Sequence, residues 1–477
     1  MLENQRELDL QRLQDGWIVI SKMFQSPRFR QFVIIGVVNL TIITTGMSLS
    51  WSSPVLVKLR NATETPLHRP ITDEEGSWIV SIASLCNIFT LSLLGMLQDY
   101  IGRKYCVILT CIPKLLMSIL FIFVKDVWVL ILGRAIIGIA DYFLLAIVPV
   151  YASEIADKHL RGALCTFLQV FSSIGCILTM SIGPFVSYTT FSILFAVMNL
   201  ITSIPILFLP DSPYFLFSKG KTDEAIKVLK LIHGSEQVAK EEIITYASSM
   251  NNEKVNKMKL IKNPVFIKSL FISVVFAFST QIVGFTAVSF YLQTILESTK
   301  TNVMPEVASV IMSLIQLFAS FCSTPATHWF KRRHILMISF SGILIGMVGL
   351  GAFFKVKENG NEISGFMNYL PLISLFLVIF CYSAGIGTLL WILVAELFDG
   401  PARALGAGIS IMFAALGIFI SSKYLVALTT AVGPAMTYWC FAVVCALSCL
   451  FTFYCIPETK GKTFNEIQIA IAGQKVK

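Results

Sequence analysis

The sequence predicts an all-α membrane protein, with about twelve transmembrane helices in two six-helix pseudo-repeats. Three observations carry that reading. Of the 477 residues 55% are hydrophobic and 14% charged, which no soluble chain of this length shows. The apolar residues fall into blocks of about the 20 residues that a helix needs to cross hydrocarbon. Short motifs in the first half return in the same order in the second.

Blocks of spanning length lie near 31–54, 77–98, 105–124, 127–151, 163–183 and 189–210. Six more follow near 266–294, 304–327, 335–354, 369–394, 404–427 and 434–456. Lys125 and Asp126 alone divide the third block from the fourth, so that boundary rests on length. The expected organisation is an N-terminal segment 1–30, a first half 31–210, a helical linker 211–265, a second half 266–456 and a tail 457–477. Residues 1–30 are charged and amphipathic, with Arg6, Arg12, Lys22, Arg28 and Arg30, and lack the apolar core and cleavage site of a signal peptide. The first span is therefore expected to act as its own uncleaved signal.

Basic residues alternate from loop to loop and set the orientation. Arg103 and Lys104 follow the second span, Lys158 and Arg161 the fourth, Lys331, Arg332 and Arg333 the eighth, and Lys460 and Lys462 the last. By the positive-inside rule these loops and both termini face the cytoplasm. The formal charge of +9 is thus topological and does not mark a nucleic-acid partner. In the linker, Ala225, Ile226, Val228, Leu229 and Ile232 follow Thr222, Asp223 and Glu224 at helical spacing and predict an amphipathic helix. The loop 55–76 is expected outside, where Asn61-Ala62-Thr63 forms a glycosylation acceptor and biases the location towards the cell surface. The same pattern occurs by chance in many chains, and Asn39-Leu40-Thr41 lies within a span.

None of the eleven cysteines falls in a loop expected outside, and none has metal-ligand spacing, so free thiols and no metal are expected. No phosphate-binding glycine loop and no polar region of catalytic-domain size occurs, so neither a cofactor nor an enzymatic activity is expected.

The repeats are specific. Glu154 follows the fourth span with Arg161 seven residues later, and Glu396 follows the tenth with Arg403 seven later. Asp99, Arg103 and Lys104 match His328, Arg332 and Arg333, and Pro210-Asp211-Ser212 matches Pro457-Glu458-Thr459. Two halves joined by a linker suit a carrier that rocks around a central site. The carboxylates Glu154 and Glu396 can then pair with Arg103, Arg161, Arg332 and Arg403 while the inner side is closed, and part when it opens. The alternative is that these charges are topology markers in water.

These residues resemble the sugar porter family of the major facilitator superfamily. The likeness runs from Ser53-Pro54 to Pro457-Glu458-Thr459-Lys460-Gly461-Lys462-Thr463 and includes Gly133-Arg134, Pro149-Val150-Tyr151, Glu154-Ile155-Ala156, Arg161-Gly162-Ala163-Leu164, Asp211-Ser212-Pro213 and Lys219-Gly220. Trp78 with Ser81, Gln316 and Ala395-Glu396-Leu397-Phe398 are most similar to insect facilitated trehalose transporters and related animal glucose carriers. The resemblance implies the major facilitator fold, the lipid bilayer as surroundings and a small neutral sugar as partner. It also implies a sugar cavity lined by Gln169, Thr280, Gln281, Thr286 and Gln316, with Trp391 as a ring platform. Amides suit sugars because each offers a donor and an acceptor; a buried glutamine can equally bond a neighbouring helix.

Departures from the family pattern bear on gating. The family's tyrosine pair is Phe290-Tyr291 here. In the tenth span Gly385 and Gly387 remain, but Thr388 and Leu390 stand where the family has prolines, so no proline break is encoded. Ala414-Ala415 replaces an Asn-Trp pair, which would either enlarge the cavity, favouring a disaccharide, or leave it less able to hold sugar. Tyr100 replaces an arginine after Asp99, and His328, Trp329 and Lys331 erode the second copy, removing a carboxylate from its charge network.

Two ionisable residues fall inside spans, Lys114 and Asp141, and each raises a functional hypothesis. Asp141 lies two turns from Arg134, so a structural pair between them competes with a proton or substrate site. Lys114 follows Pro113 and can bond backbone carbonyls or pair with Asp141. The first span carries no acid, whereas proton-coupled relatives do, so uncoupled facilitated diffusion is expected. The rival readings are a transport-deficient sensor or scaffold, a carrier of a non-sugar polar solute, and a proton-coupled symporter.

Overall fold

The computed structural model describes residues 26–156, 161–251, 263–299, 303–360, 365–398, 402–462 and 464–472, without the side chains of 90–96, 161–166, 248–251, 324, 395, 402–404, 464–465 and 472. All regular structure in them is helical. The first six helices are α1 (Pro27–Arg60), α2 (Asp73–Ile101), α3 (Arg103–Leu120), α4 (Val127–Ile155), α5 (Arg161–Ile182) and α6 (Tyr188–Ser203). Short 3-10 turns, Phe121–Phe123 and Ile204–Phe208, extend α3 and α6. The linker holds α7 (Pro213–Ser218), α8 (Thr222–His233) and α9 (Glu236–Asn251).

A second group follows: α10 (Pro264–Ile282), α11 (Phe285–Phe290), α12 (Leu292–Thr299), α13 (Pro305–Trp329), α14 (Arg332–Glu358), α15 (Leu370–Cys381), α16 (Gly387–Glu396), α17 (Ala402–Val432) and α18 (Pro434–Cys455). A short α19 (Phe464–Ala472) closes the described chain. Ten stretches among the described residues are long and apolar enough to cross a membrane, and they match the expected spans apart from the second and fifth. Those two places are taken by α2, 29 residues long, and α5, 22 residues long.

Local chemistry explains the ends. Thr72 caps α2: its hydroxyl accepts from the Glu75 N–H at 3.2 Å, while the Glu75 carboxylate accepts from the Thr72 N–H at 2.8 Å. Gly102, at φ 92°, turns the chain from α2 into α3, and a Cβ there would lie 2.7 Å from the Phe215 ring. The expected linker helix is α8, which buries Ala225, Leu229 and Ile232. It is tied to the start of α1, where the Arg30 guanidinium donates to the Leu231 carbonyl at 2.9 Å.

The packing is inside-out relative to a water-soluble bundle. On α3, Leu109, Ile112 and Leu116 are about half exposed, while Thr110, Lys114 and Ser118 are buried. A helix that turns its apolar side outward and its polar side inward has hydrocarbon as its solvent.

Helices α1–α6 pack on one another, as do α10–α18, and the two groups meet along α2–α17, α5–α13 and α1–α11/α12. The bundle end that carries the start of α1 and the α7–α9 segment is here named the linker face, and the opposite end the far face. At the far face the Ser52 hydroxyl donates to the Phe290 carbonyl at 3.3 Å and the Gln293 N–H donates to Ser53 Oγ at 2.9 Å. The Lys423 ammonium donates to Ser77 Oγ at 2.8 Å and sits 4.0 Å over the Trp78 ring.

Two expected spans prove irregular. The seventh, read as one run over 266–294, stops at Val283, turns through Gly284 at φ 93° and resumes as α11. A side chain at Gly284 would be strained by φ and would meet Phe441 and Met347 within 3 Å. The tenth has no proline, yet Tyr382–Ile386 forms a π-helical turn between α15 and α16. The helix is thus widened without being broken, by a turn of the kind that recurs at functional sites.

Candidate functional site

The two irregular stretches face each other. From the last turn of α10, Gln281 donates through Nε2 to the Tyr382 hydroxyl of the π-turn at 3.3 Å. Its amide oxygen accepts from the Thr286 hydroxyl of α11 at 2.9 Å. The Phe285 and Tyr382 rings stack with centroids 3.7 Å apart and planes 8° apart. Next to them the Ser323 hydroxyl of α13 donates to Thr388 at 2.6 Å. Gln281 is thus held by a donor-acceptor pair, with one aromatic face beside it. A π-turn and a left-handed glycine both free backbone groups and bend helices, and both occur here where polar side chains converge.

The other expected cavity residues are placed as follows. Gln169 and Gln316 are half-buried on α5 and α13, the helices joined across the two groups by the Ser173 and Ser320 hydroxyls at 3.2 Å. Trp391 on α16 is 44% exposed. Thr280 is fully covered and its hydroxyl donates back to the Ala277 carbonyl at 2.8 Å, so it is spent within its own helix. Ala414 and Ala415 are also covered, at 7% and 1% exposure. The larger cavity read from those alanines is not found at that point. Instead α17 packs tightly on α10, with a Cβ at Gly417 reaching 3.0 Å from the Gln281 Cβ. Phe290 and Tyr291 are buried at the far-face contact, where the Tyr291 hydroxyl donates to the Ser422 carbonyl at 3.3 Å. Gly385 sits in the π-turn against Ser339 of α14, and Gly387 opens α16.

At the linker face the repeated motifs form one cluster twice. In the first group Arg103 pairs with Glu154 at 3.1 Å and with Asp99 at 3.6 Å. Glu154 also accepts from the Ser212 hydroxyl, and Asp211 accepts the backbone N–H of Lys104 at the start of α3. Burial raises the Asp211 carboxyl from its ordinary range, opposed chiefly by Lys104. In the second group Arg332 reaches Glu396 at 3.5 Å, and the Thr459 hydroxyl donates to Glu396 at 2.6 Å. Glu458 accepts the N–H groups of Arg332 and Arg333 at 3.0 and 3.2 Å, at the start of α14. The network therefore persists without a carboxylate at His328, whose carbonyl accepts from Lys460 instead. The side chains of Arg161 and Arg403 lie outside the described residues.

Within the membrane layer Lys114 and Asp141 form an ion pair at 2.5 Å, both buried. Arg134 donates to the carbonyl and hydroxyl of Ser48 at 3.1 and 3.0 Å, and lies 5.2 Å over the Trp51 ring. The Asp141–Arg134 pair that helix spacing favoured gives way to Lys114, because a neighbouring helix brings an ammonium closer than two turns of the same helix can. Asn61 is exposed at the far end of α1, with its amide oxygen accepting from the Thr63 N–H at 3.1 Å.

The comparisons with known proteins now decide the family, because a family model described as "Sugar (and other) transporter" matches residues 34–470. The chain belongs to this sugar transporter family. It is a multi-pass membrane protein, and its curated relatives include the facilitated trehalose transporter of Polypedilum vanderplanki, 25% identical over 92% of this chain and 87% of that protein. The facilitated trehalose transporter of Apis mellifera ligustica is 27% identical over 91% and 87%. The mouse solute carrier family 2 facilitated glucose transporter member 6 is 25% identical over 89% and 87%.

Among solved structures, the inward-open xylose transporter XylE from E. coli gives a TM-score of 0.77 at 19% identity, over 92% of this chain and 99% of that one. XylE bound to 6-bromo-6-deoxy-D-glucose gives 0.73 at 19% identity, over 92% and 98%. At that identity the likeness establishes the fold.

In this sugar transporter family member, Tyr382 and Ser323 are site candidates that sequence reasoning missed. Tyr382 stands three residues before Gly385, and an aromatic hydroxyl beside a glycine pair in an otherwise apolar span was the available signal. Lys423 was missed too, although a lysine near the end of an apolar run invites a partner at the boundary.

Proposed function

We propose that the chain is a facilitative carrier of a small neutral sugar, a hexose or trehalose, that works by alternating access without ion coupling. The observation that carries this reading is the meeting of a broken helix with a π-turn at Gln281, Thr286 and Tyr382, in a chain of the sugar transporter family. Discontinuous helices at mid-depth are where carriers place their substrates. A neutral amide flanked by hydroxyls and an aromatic face matches the donors, acceptors and apolar faces of a sugar ring.

The bundle is read as twelve crossings in two halves, 31–210 and 266–456, with the basic linker face in the cytoplasm and the termini on that side. Under that orientation the far face is extracellular, Asn61 is accessible to glycosylation, and the contacts at Ser52, Ser53 and Lys423 close the outer side. The paired clusters at Glu154 and Glu396 then fasten helix ends within each half, and their release accompanies the rocking of the halves. Uncoupled transport is supported by α1, which offers Thr44, Thr45 and Ser48 to the buried charges and no acid. A location in the plasma membrane follows from the same orientation and the Asn61 acceptor.

The test is uptake of labelled glucose and labelled trehalose in oocytes expressing the chain, beside Gln281→Ala and Trp391→Ala variants matched for surface level. Saturable uptake that both variants lose is the expected result and ranks the two sugars. Normal surface expression without uptake of either sugar overturns the reading.

A further inference from the structure

The hydrogen bonds of Lys114 run to Asp141, Thr44 and Thr45 and not to the cluster around Gln281, and its surroundings are unusual for a structural ion pair. The Lys114 ammonium has three N–H donors and meets three oxygens: Asp141 Oδ1 at 2.5 Å, Thr44 Oγ1 at 2.9 Å and Thr45 Oγ1 at 3.3 Å. Both threonines pass their own hydroxyl protons to the Thr41 carbonyl, at 2.9 and 3.3 Å, so their lone pairs point at the nitrogen. Lys114 and Asp141 are 1% and 3% exposed, and both threonines are covered as well. A carboxylate and two hydroxyls with lone pairs turned inward form the oxygen set that a small cation selects. Here the cation is a side chain.

We infer that Lys114 is a tethered counter-cation that keeps Asp141 ionised and satisfied, and so withholds from this carrier an intramembrane acid that would otherwise take up a proton or a sodium ion with each cycle. The inference rests on the transport reading given above and extends it to the question of coupling. A carboxylate buried in a membrane core cannot stay charged without a partner; it takes a proton or binds a cation from solution. When that partner is covalently attached, the charge is balanced throughout the cycle and no solution ion is drawn in. The donor count supports ionised Asp141, since each oxygen around the nitrogen is an acceptor and none has a proton left to offer.

The neighbouring groups do not take over this role. Besides Lys114, the titratable groups Cys111 of α3 and Arg134 and Tyr142 of α4 interact electrostatically with Asp141. Arg134 is directed to Ser48, and the Tyr142 hydroxyl lies 3.3 Å from Ser84 of α2. Helix α1 brings hydroxyls alone, α5 turns Cys176 to the Gly46 carbonyl of α1, and α6 brings Ser203 to Cys111. Among the described residues, removing Lys114 leaves Asp141 with no cation at ion-pair distance, and Arg134 acting on it only from farther away.

The experiment uses the full chain. Sugar uptake is measured at outside pH of about 5.5 and about 7.5, with and without sodium, for wild type, Lys114→Met, Lys114→Arg and the double variant Lys114→Met with Asp141→Asn. Wild type, Lys114→Arg and the double variant are expected to be insensitive to both ions. Lys114→Met is expected to gain acid or sodium stimulation of about threefold or more. In parallel, purified wild type and Lys114→Met are treated with dicyclohexylcarbodiimide, which modifies protonated buried carboxyls, and Asp141 is read by mass spectrometry. Label on Asp141 in Lys114→Met and none in wild type is the expected outcome.

Label on wild-type Asp141 overturns the inference whatever becomes of the variants, and so does a Lys114→Met protein that is active, insensitive to both ions and unlabelled. Absence of sugar uptake in wild type defeats the transport reading instead, and the labelling still decides the state of Asp141.

Discussion

At the linker face, Arg103 with Glu154 and Ser212 in the first group, and Arg332 with Glu396 and Thr459 in the second, are one three-part cluster built twice. Deeper in the bundle the likeness ends. The first group buries Lys114, Arg134 and Asp141 within its helices. The second runs from Ile335 to Phe354 in α14 and from Leu370 to Val394 in α15 and α16 without an acid or a base, and its central polar groups are neutral, Gln281, Thr286 and Tyr382. The helix-end clusters are thus alike in the two groups, and the interiors differ. A charged interior is rigid, because every ion needs a fixed partner in a medium of low dielectric. A neutral polar interior can exchange its partners for those of a ligand at small cost. Under the proposed transport reading the first group would then serve as the frame and the second as the main substrate-facing part.

The largest expected effect sets these interiors apart. Asp141→Leu strands the Lys114 ammonium and is expected to cost about 3–5 kcal/mol, seen as loss of surface protein and a large fall in detergent melting temperature. Gln281→Leu, in the neutral interior, should leave melting nearly unchanged while abolishing uptake. Equal destabilisation by the two variants would erase the distinction between frame and substrate-facing part.

A smaller difference is expected between the two linker-face clusters. The Arg103–Glu154 side chains are 8% and 14% exposed, against 16% and 26% for Arg332–Glu396. Arg103→Met should cost about 2 kcal/mol and Arg332→Met about 1 kcal/mol, measured as melting shifts of the purified protein. The reverse order would show that burial does not rank them.

The smallest effect concerns Tyr382. Its hydroxyl orients Gln281, so Tyr382→Phe is expected to raise the KM for sugar by about two- to tenfold with kcat and melting little altered. An unchanged KM would remove Tyr382 from the site and leave its ring stacking on Phe285 as its contribution.

Much of this molecule can be read from residues alone. The order of the spans, the linker helix at Thr222–His233, the paired motifs and the sugar-porter likeness all rest on signals that lie within a short stretch of chain. Hydropathy over about 20 residues reports how a helix meets lipid, and a motif reports its own spacing. Neither reports how each helix is rotated about its axis. That rotation gave Asp141 to Lys114 instead of Arg134, covered Ala414 and Ala415 where an enlarged cavity was one of two expectations, and turned the Thr280 hydroxyl back on its own helix. The π-turn at Tyr382 arose without the proline that would have announced it. Such choices are made between helices, by whichever side chains the packed bundle brings into contact, and tertiary structure alone decides them.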